Sequence, residues 1–457
     1  MWTRLAWLAL LLATGAAAQD LAPQATKPRN VLLLTADDLS RGSVGAFGGR
    51  LEGATPNLDA LAREGMRFWH AHVAVAICQP CRATIMTGRY PPRNGALGFD
   101  PIRAGVPTLP ETLRAAGYLT GVFGKTNHTL PSRKDAFDVA VPQKDLGNGR
   151  SPERYRAEAA AFFARAKADG KPFFLNANTH DPHRPFATRA YAPGDVPVPG
   201  FLPDLPDVRE ELARYFTSVR RGDAVIGAIL AALDDADLRA TTIVVFLSDH
   251  GISVPFAKTN CWRESTHTPL IVRWPGAVEP GSVDRQHVVS SVDLAPTILD
   301  ALGLEGLADA DGRSFAPILK GDTQDDRDWT FTQINTTSAK KAFPMRAVVG
   351  RRFGYIWNAW ADGTTRMQNE AMAGLTFQAM QRAAADDPAI AARVQHYLLR
   401  TPEELYDFEA DPDSLANLAG TETSAERVAE LRGLLRMHLA ATSDPQRAAY
   451  EAFLRAK

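Results

Sequence analysis

Four apolar runs, each ending in charged or acid–base side chains, constrain this chain more than any other feature. Asn30–Thr35 leads into Asp37-Asp38, and Tyr118–Phe123 into Gly124-Lys125 and then His128. Pro172–Asn176 leads into His180-Asp181-Pro182-His183, and Thr242–Leu247 into Ser248-Asp249-His250-Gly251. Unbroken apolar runs of this length lack the alternation of a half-exposed strand. They read as strands buried on both faces, as in parallel sheets covered by helices. Ligands in such sheets bind beyond the carboxyl ends of the strands, so these polar groups converge on one crevice.

The intervening segments read as helices. Thr55-Pro56-Asn57 opens one with a threonine cap and proline at the first position, and Gly65 closes it. Thr108-Leu109-Pro110-Glu111 has the form of a capping box, with Gly117 ending that helix. Long helical patterns cover 152–169 and 207–236. The alternation predicts a doubly wound α/β domain over residues 28–322, its mainly parallel sheet sandwiched by helices. Beyond Gly321-Asp322, short strands at 327–332, 345–349 and 353–357 precede a helical stretch from Ser424. This predicts a smaller C-terminal α+β domain, 323–457, with a short antiparallel sheet.

The chain carries 51 basic and 52 acidic residues, a balance that argues against nucleic-acid binding or docking on an acidic membrane. The N-terminus resembles a secretory signal: Arg4, an apolar stretch from Leu5 to Ala13 too short to span a bilayer, and Ala16-Ala17-Ala18 as the cleavage site. Cleavage after Ala18, with residues 1–18 as signal peptide, predicts a periplasmic or secreted protein. An uncleaved anchor is the alternative. Three cysteines are too few for a disulfide framework. Cys81 and Cys261 are candidates for one bond, and Asn127-His128-Thr129 is a glycosylation sequon where a glycan would obstruct the candidate site, which disfavours a eukaryotic secretory origin.

Cys78 and Cys81 form a Cys-x-x-Cys pair, which elsewhere marks a redox dithiol or half of a zinc site. A zinc site needs a further Cys or His pair, and Cys261 is solitary. The surrounding run, Cys78-Gln-Pro80-Cys81-Arg82 followed by Thr87-Gly88-Arg89, resembles the signature of the type I, formylglycine-dependent sulfatases. Thr55-Pro-Asn-Leu-Asp59, Ser248-Asp249-His250-Gly251, Trp262-Arg-Glu-Ser-Thr-His-Thr-Pro-Leu-Ile271 and Leu405-Tyr-Asp407 with Asp411-Pro412 and Asn417-Leu418 extend the resemblance over residues 29–420.

The resemblance implies an alkaline-phosphatase-like core and an exported hydrolase of sulfuric esters, N-sulfates included. It implies that Cys78 is oxidised to 3-oxoalanine (formylglycine) by a formylglycine-generating enzyme. One hydroxyl of the hydrated aldehyde then attacks sulfur, and the other collapses the sulfated intermediate. Asp37, Asp38 and Asp249 supply hard oxygen ligands, which favours Ca²⁺, with Mg²⁺ or Mn²⁺ as substitutes. By the resemblance His250 and modified Cys78 complete the metal shell. Arg82 holds the hydrate, Lys125 and Lys258 clamp sulfate, and His128 takes the proton of the second hydroxyl. His180 contacts sulfate and protonates the leaving group, and His183 belongs to the substrate pocket or is structural.

Two departures stand out. Cys81 replaces the usual serine, and the spacing Lys125-Thr-Asn-His128 is longer than the common pattern. That spacing is similar to iduronate-2-sulfatases, and Thr179-His-Asp-Pro-His183 to both these and sulfamidases, which points to a sulfated glycan or smaller sulfate as substrate. Two readings remain beside the sulfatase one. A phosphonate monoester or phosphodiester hydrolase on the same fold would share the motif, as would a non-catalytic sulfated-glycan-binding relative. His70, His72, His267, His287, His396 and His438 read as structural.

Overall fold

A computed structural model describes residues 30–457 of the chain. The signal-peptide reading of residues 1–18 lies outside the described residues. Among those described, no helix is long and apolar enough to cross a membrane.

The larger sheet contains β1 (Asn30–Asp37), β2 (Met66–His72), β3 (Leu119–Phe123), β4 (Val139–Val141), β5 (Phe173–Pro182), β6 (Thr242–Ser248), β7 (Leu270–Arg273) and β8 (Val283–Ser290), in the order β4-β3-β5-β1-β6-β7-β2-β8. All neighbours are parallel except β7, which runs against both β6 and β2. β1 is central, pairing with β5 and β6, so the ends bearing Asp37, His180 and Asp249 lie side by side. Within β1 the side chains alternate between two cores. Leu32 and Leu34 join one buried cluster, Val31 and Leu33 the other, and all four are at most 1 % exposed. Helices Pro152–Ala168 and Pro206–Asp235 cover the first face, and Cys78–Thr87, Leu109–Ala115 and Leu294–Ala301 the second. This double burial is why the strands carry no polar alternation.

β9 (Trp329–Thr336), β10 (Ala342–Gly350), β11 (Phe353–Asn358) and β12 (Glu403–Asp407) form an antiparallel sheet in the order β12-β11-β10-β9. One face, with Met345, Ala347 and Ile356, merges into the first core. The other, with Val348, Tyr355 and Leu405, receives Val428, Leu431, Leu435 and Leu439 from the helix Ala425–Ala441. Each such aliphatic side chain contributes about 1.5–3 kcal/mol by leaving water. A fully buried Arg346 clamps the C-terminal helix turn, with Nε and one Nη donating to Asp444 at 2.7 and 2.9 Å.

Several local expectations need correction. β5 runs on through Pro182, so His180 lies within the strand rather than in the loop after it. At Thr108 the capping box is not closed: its hydroxyl donates to Glu111 Oε2 at 2.6 Å and caps no backbone N–H. Cys81 and Cys261 are free thiols in separate cores on the two faces of the sheet. The C-terminal helical stretch divides at Ser443-Asp444, where Asp444 turns inward to Arg346.

Candidate active site

Beyond the strand ends, two turns hold ionic side chains in left-handed backbone. Asp38 has φ 66° and Lys125 φ 44°. That region disfavours non-glycine residues, so both turns depend on their surroundings. Asp38 N–H donates to Asp249 Oδ1 at 3.3 Å, and Leu39 N–H to Ser248 Oγ at 3.0 Å, tying the β1 turn to the end of β6. Gly124, also at positive φ, has no room for a side chain: a Cβ would lie 2.4 Å from the Asn178 carbonyl oxygen.

Cys78 is the first residue of a ten-residue helix that is buried throughout. Ile77 before it offers no side-chain cap, so the first-turn N–H groups remain available to an anion. Cys78 Sγ lies 3.5 Å from Asp37 Oδ1 and 3.3 Å from His250 Nε2. Around it, three carboxylates face three cations, all buried. Asp37 pairs with Lys125, and with Arg82 at 3.7 Å. Asp38 Oδ1 pairs with Lys258 at 2.7 Å, and Asp249 Oδ2 with Arg82 at 2.7 Å. Burial alone would raise the Asp37 and Asp38 carboxyls. Lys125 for the first and Lys258 for the second outweigh it, and both are held below the usual carboxylate range.

Burial, reinforced by Asp37, pushes the Cys78 thiol well above its usual value, so it stays protonated. A neutral thiol is a weak nucleophile, and thiolate redox chemistry has no support here. Cys81 is buried in the core beneath, and its thiol is pushed well up in the same way.

Asp37, Asp38, Cys78 and His250 each offer an atom within 4.8 Å of the others. Asp38 Oδ2 is buried and, among the described residues, without a hydrogen-bond partner. The His250 Nδ1 proton is directed at Gly251 O, 3.1 Å away, which leaves the Nε2 lone pair facing Cys78. Two carboxylates, one of them with an orphaned buried oxygen, and an imidazole nitrogen fit a divalent cation, most readily once position 78 carries oxygen in place of sulfur. Asp249, expected beside them as a ligand, is turned to Arg82, with Oδ1 3.5 Å from His250 Nε2.

His128 and His180 flank the cluster. Burial and Lys125 push their imidazoles down to about 4 and about 3, so both are neutral at pH 7. Each has a buried Nδ1 without a partner among the described residues. The His183 ring packs 4.7 Å from that of His180 and adds to the positive field on Asp37 and Asp38. Arg150 fixes this segment, donating to Asp181 Oδ1 and to the His183 carbonyl, both at 3.0 Å.

Two residues escape the sequence patterns. Asn178 accepts from Arg82 and donates to Phe123 O at 2.9 Å, linking the guanidinium to the β3 end. Its only signal is a pair of asparagines, 176 and 178, in a fully buried strand. Glu370 approaches Lys258 to 4.0 Å from the segment beyond β11, where no motif marks it.

A family model described as sulfatase matches residues 29–304, and one described as the C-terminal part of N-sulphoglucosamine sulphohydrolase matches 249–360. Human N-sulphoglucosamine sulphohydrolase is 32% identical over 471 aligned residues, covering 92% of this chain and 91% of that protein. An ulvan-active sulfatase of Formosa agariphila is 26% identical, covering 91% of this chain and 75% of its own. A structure solved in complex with its substrate D-glucosamine-2-N,6-O-disulfate has a TM-score of 0.71 at 20% identity, covering 92% of this chain and 99% of that one. The phosphonate monoester hydrolase of Agrobacterium radiobacter reaches 0.68 at 20% identity, covering 91% and 95%. These two structures speak for the alkaline-phosphatase-like fold alone. With the first family model spanning more than half its length and a 32% identical relative along nearly all of it, the chain belongs to the sulfatase family of sulfuric-ester hydrolases.

Proposed function

We propose that this protein is an exported hydrolase that releases sulfate from sulfated amino sugars of glycans, N-sulfated glucosamine first. Its nucleophile is 3-oxoalanine formed from Cys78, and its cofactor is one divalent cation, Ca²⁺ by the oxygen-rich donor set. The observation that carries the reading is Cys78 Sγ set 3.5 Å from Asp37 and 3.3 Å from His250, in a buried nest of three carboxylates and three cations. The preference for an N-sulfate rests on the 32% identical N-sulphoglucosamine sulphohydrolase and on the matching C-terminal family model. Residues 28–322 form the catalytic domain and 323–457 the smaller one. Export follows from the signal at residues 1–18.

Asp37, Asp38, Asp249 and His250 would hold the cation together with the oxygen at position 78. When bound, it polarises sulfate oxygens and neutralises charge in the nest. The chain's own residues do the rest. Lys125 and Lys258, already buried and charged, bind the anionic group without desolvation at the moment of reaction. Arg82, fixed by Asp249 and Asn178, orients the nucleophilic side chain. His128, neutral and with a free ring nitrogen, accepts a proton from it. His180, neutral like His128, donates a ring N–H hydrogen bond to the sulfate and the departing nitrogen or oxygen, and His183 lines the pocket beside it.

The test is a substrate panel with wild type and Cys78→Ala, joined to peptide mass spectrometry across residue 78. N-sulfoglucosamine, 6-O-sulfated glucosamine, an aryl sulfate and an aryl phosphonate ester form the panel. Wild type should release sulfate from N-sulfoglucosamine fastest, carry an aldehyde at 78, and lose at least about 10³-fold in kcat/KM on substitution. A phosphonate preference would replace this reading with its rival. An unmodified thiol in active protein would overturn the nucleophile.

A further inference from the structure

Around β2 and the edge strand β8, where the turn after β1 also reaches, lies a group of arginines with no ion-paired acid among the described residues. The Arg41 guanidinium stacks 4.1 Å from the Trp69 ring and 4.9 Å from Phe47. Exposed Arg285 lies 3.9 Å from the same indole, and Arg263 sits 4.8 Å from Phe408. Among the described residues, Arg41, Arg67, Arg263 and Arg285 form no ion pair, and Arg67 alone spends a hydrogen bond, on Ala46 O. Arg41 Nε and one Nη are buried without partners.

The neighbouring acids do not compensate. Glu264 lies close enough to be felt by Arg41 and Arg263, and Asp413 by Arg263, Glu264 and Arg393, yet among the described residues neither acid forms an ion pair. Asp284 is occupied by His287, at 2.9 Å through the backbone N–H and 2.7 Å through Nδ1. Burial, with Arg263 and Arg285 adding repulsion, pushes Arg41 down to about 10, and burial with Arg263 pushes His70 down to about 4. Folding does not gather like charges, half bury them and leave their donors empty without cost. An anion would relieve both the repulsion and the unpaired N–H groups. The planar guanidinium forks, held flat by aromatic faces, match an oxyanion better than a point acceptor.

We propose that Arg41 and Arg285 on the Trp69 ring, with neighbouring Arg263 on Phe408, form a second oxyanion site, built from none of the residues of the Cys78 nest, that grips a sulfate group further along a polyanionic chain. The assignment to a sulfated chain rests on the function proposed above. The preference for an oxyanion does not.

Calorimetry on the full chain with a heparin-type octasaccharide and, separately, with inorganic sulfate tests it. Arg285→Gln should weaken octasaccharide binding about fivefold, and Arg41→Gln with Arg285→Gln about 25-fold. KM for a small aryl sulfate and the melting temperature of Arg285→Gln should not move. Arg447→Gln, an exposed arginine on the last helix, is the control for net charge. Unchanged octasaccharide binding in the double variant, or an equal loss in Arg447→Gln, overturns the site. Binding of inorganic sulfate with no gain for the octasaccharide assigns it to a free anion and overturns the chain-gripping role. A change in oligomeric state in Arg285→Gln also overturns it, by showing that a second copy covers the face. None of the overturning outcomes depends on turnover, so each stands apart from failure of the proposed activity.

Discussion

Replacing Lys258 by methionine should strip Asp38 of its main counter-charge. The pair is 2.7 Å apart with both side chains at most 3 % exposed, so the direct attraction at an effective dielectric of 20 is about 6 kcal/mol. Desolvation of the two groups offsets most of that attraction. Removing one partner, however, leaves the other charge buried, which costs about 3–5 kcal/mol. His250 Nδ1, 3.4 Å from Asp38, is the nearest remaining polar neighbour. A loss of about 4 kcal/mol shifts the unfolding equilibrium by roughly three decades. The assay is urea denaturation at pH 7 with a chelator present, because a bound cation would stand in for the lysine. At that pH both partners contribute fully. Asp38 is lowered, so its share is lost only as pH falls through its folded value. Lys258 is raised, so its share is lost only as pH rises past the lysine range. Lys258→Met with Asp38→Asn should recover at least about 2 kcal/mol relative to the sum of the single variants. A single-variant cost below about 1 kcal/mol, or strict additivity in the double, would refute the buried-pair argument.

Asn178→Ala should cost about 1–3 kcal/mol, because Arg82 and the Phe123 carbonyl lose a buried partner, and should lower kcat/KM by freeing Arg82; denaturation and kinetics check both. Gly124→Ala pushes a methyl group to 2.4 Å from Asn178 O at φ 61° and should lower the melting temperature by several degrees, about 2 kcal/mol or more; a silent substitution would contradict the geometry. His128 and His180 are lowered, so the unfolded chain binds more protons between about pH 4 and pH 6.5. Stability should therefore rise with pH across that window, more weakly in His128→Gln, as pH-dependent denaturation would show. For the same reason the acid limb of kcat/KM should fall below pH 5; a limb centred near 6.5 would mean that neither imidazole is the base.

Much of the active-site geometry was legible because strand ends in a parallel sheet are forced together. Asp37-Asp38, Lys125, His180 and Asp249 each follow an apolar run, and β1 lying between β5 and β6 does the rest. The capping pattern at Thr108 misled because a hydroxyl chooses between a backbone N–H and a nearby carboxylate, and here the carboxylate is 2.6 Å away. The extent of β5 was short in the sequence reading because polar Thr179, His180 and Asp181 look like a loop, whereas they are buried strand residues with Asp181 held by Arg150 and Arg221.

Local order alone determined the strand positions, the helix that opens at Cys78 and the identities of the charged groups, since periodicity and short motifs are properties of neighbouring residues. Tertiary packing decided which charges meet. It gave Asp249 to Arg82 and Asp38 to Lys258, brought Glu370 to the rim of the site, and, among the described residues, left Arg41, Arg263 and Arg285 without ion pairs. Coulomb forces and desolvation act through space, and separations of a hundred residues along the chain collapse to a few ångströms only when both cores have closed.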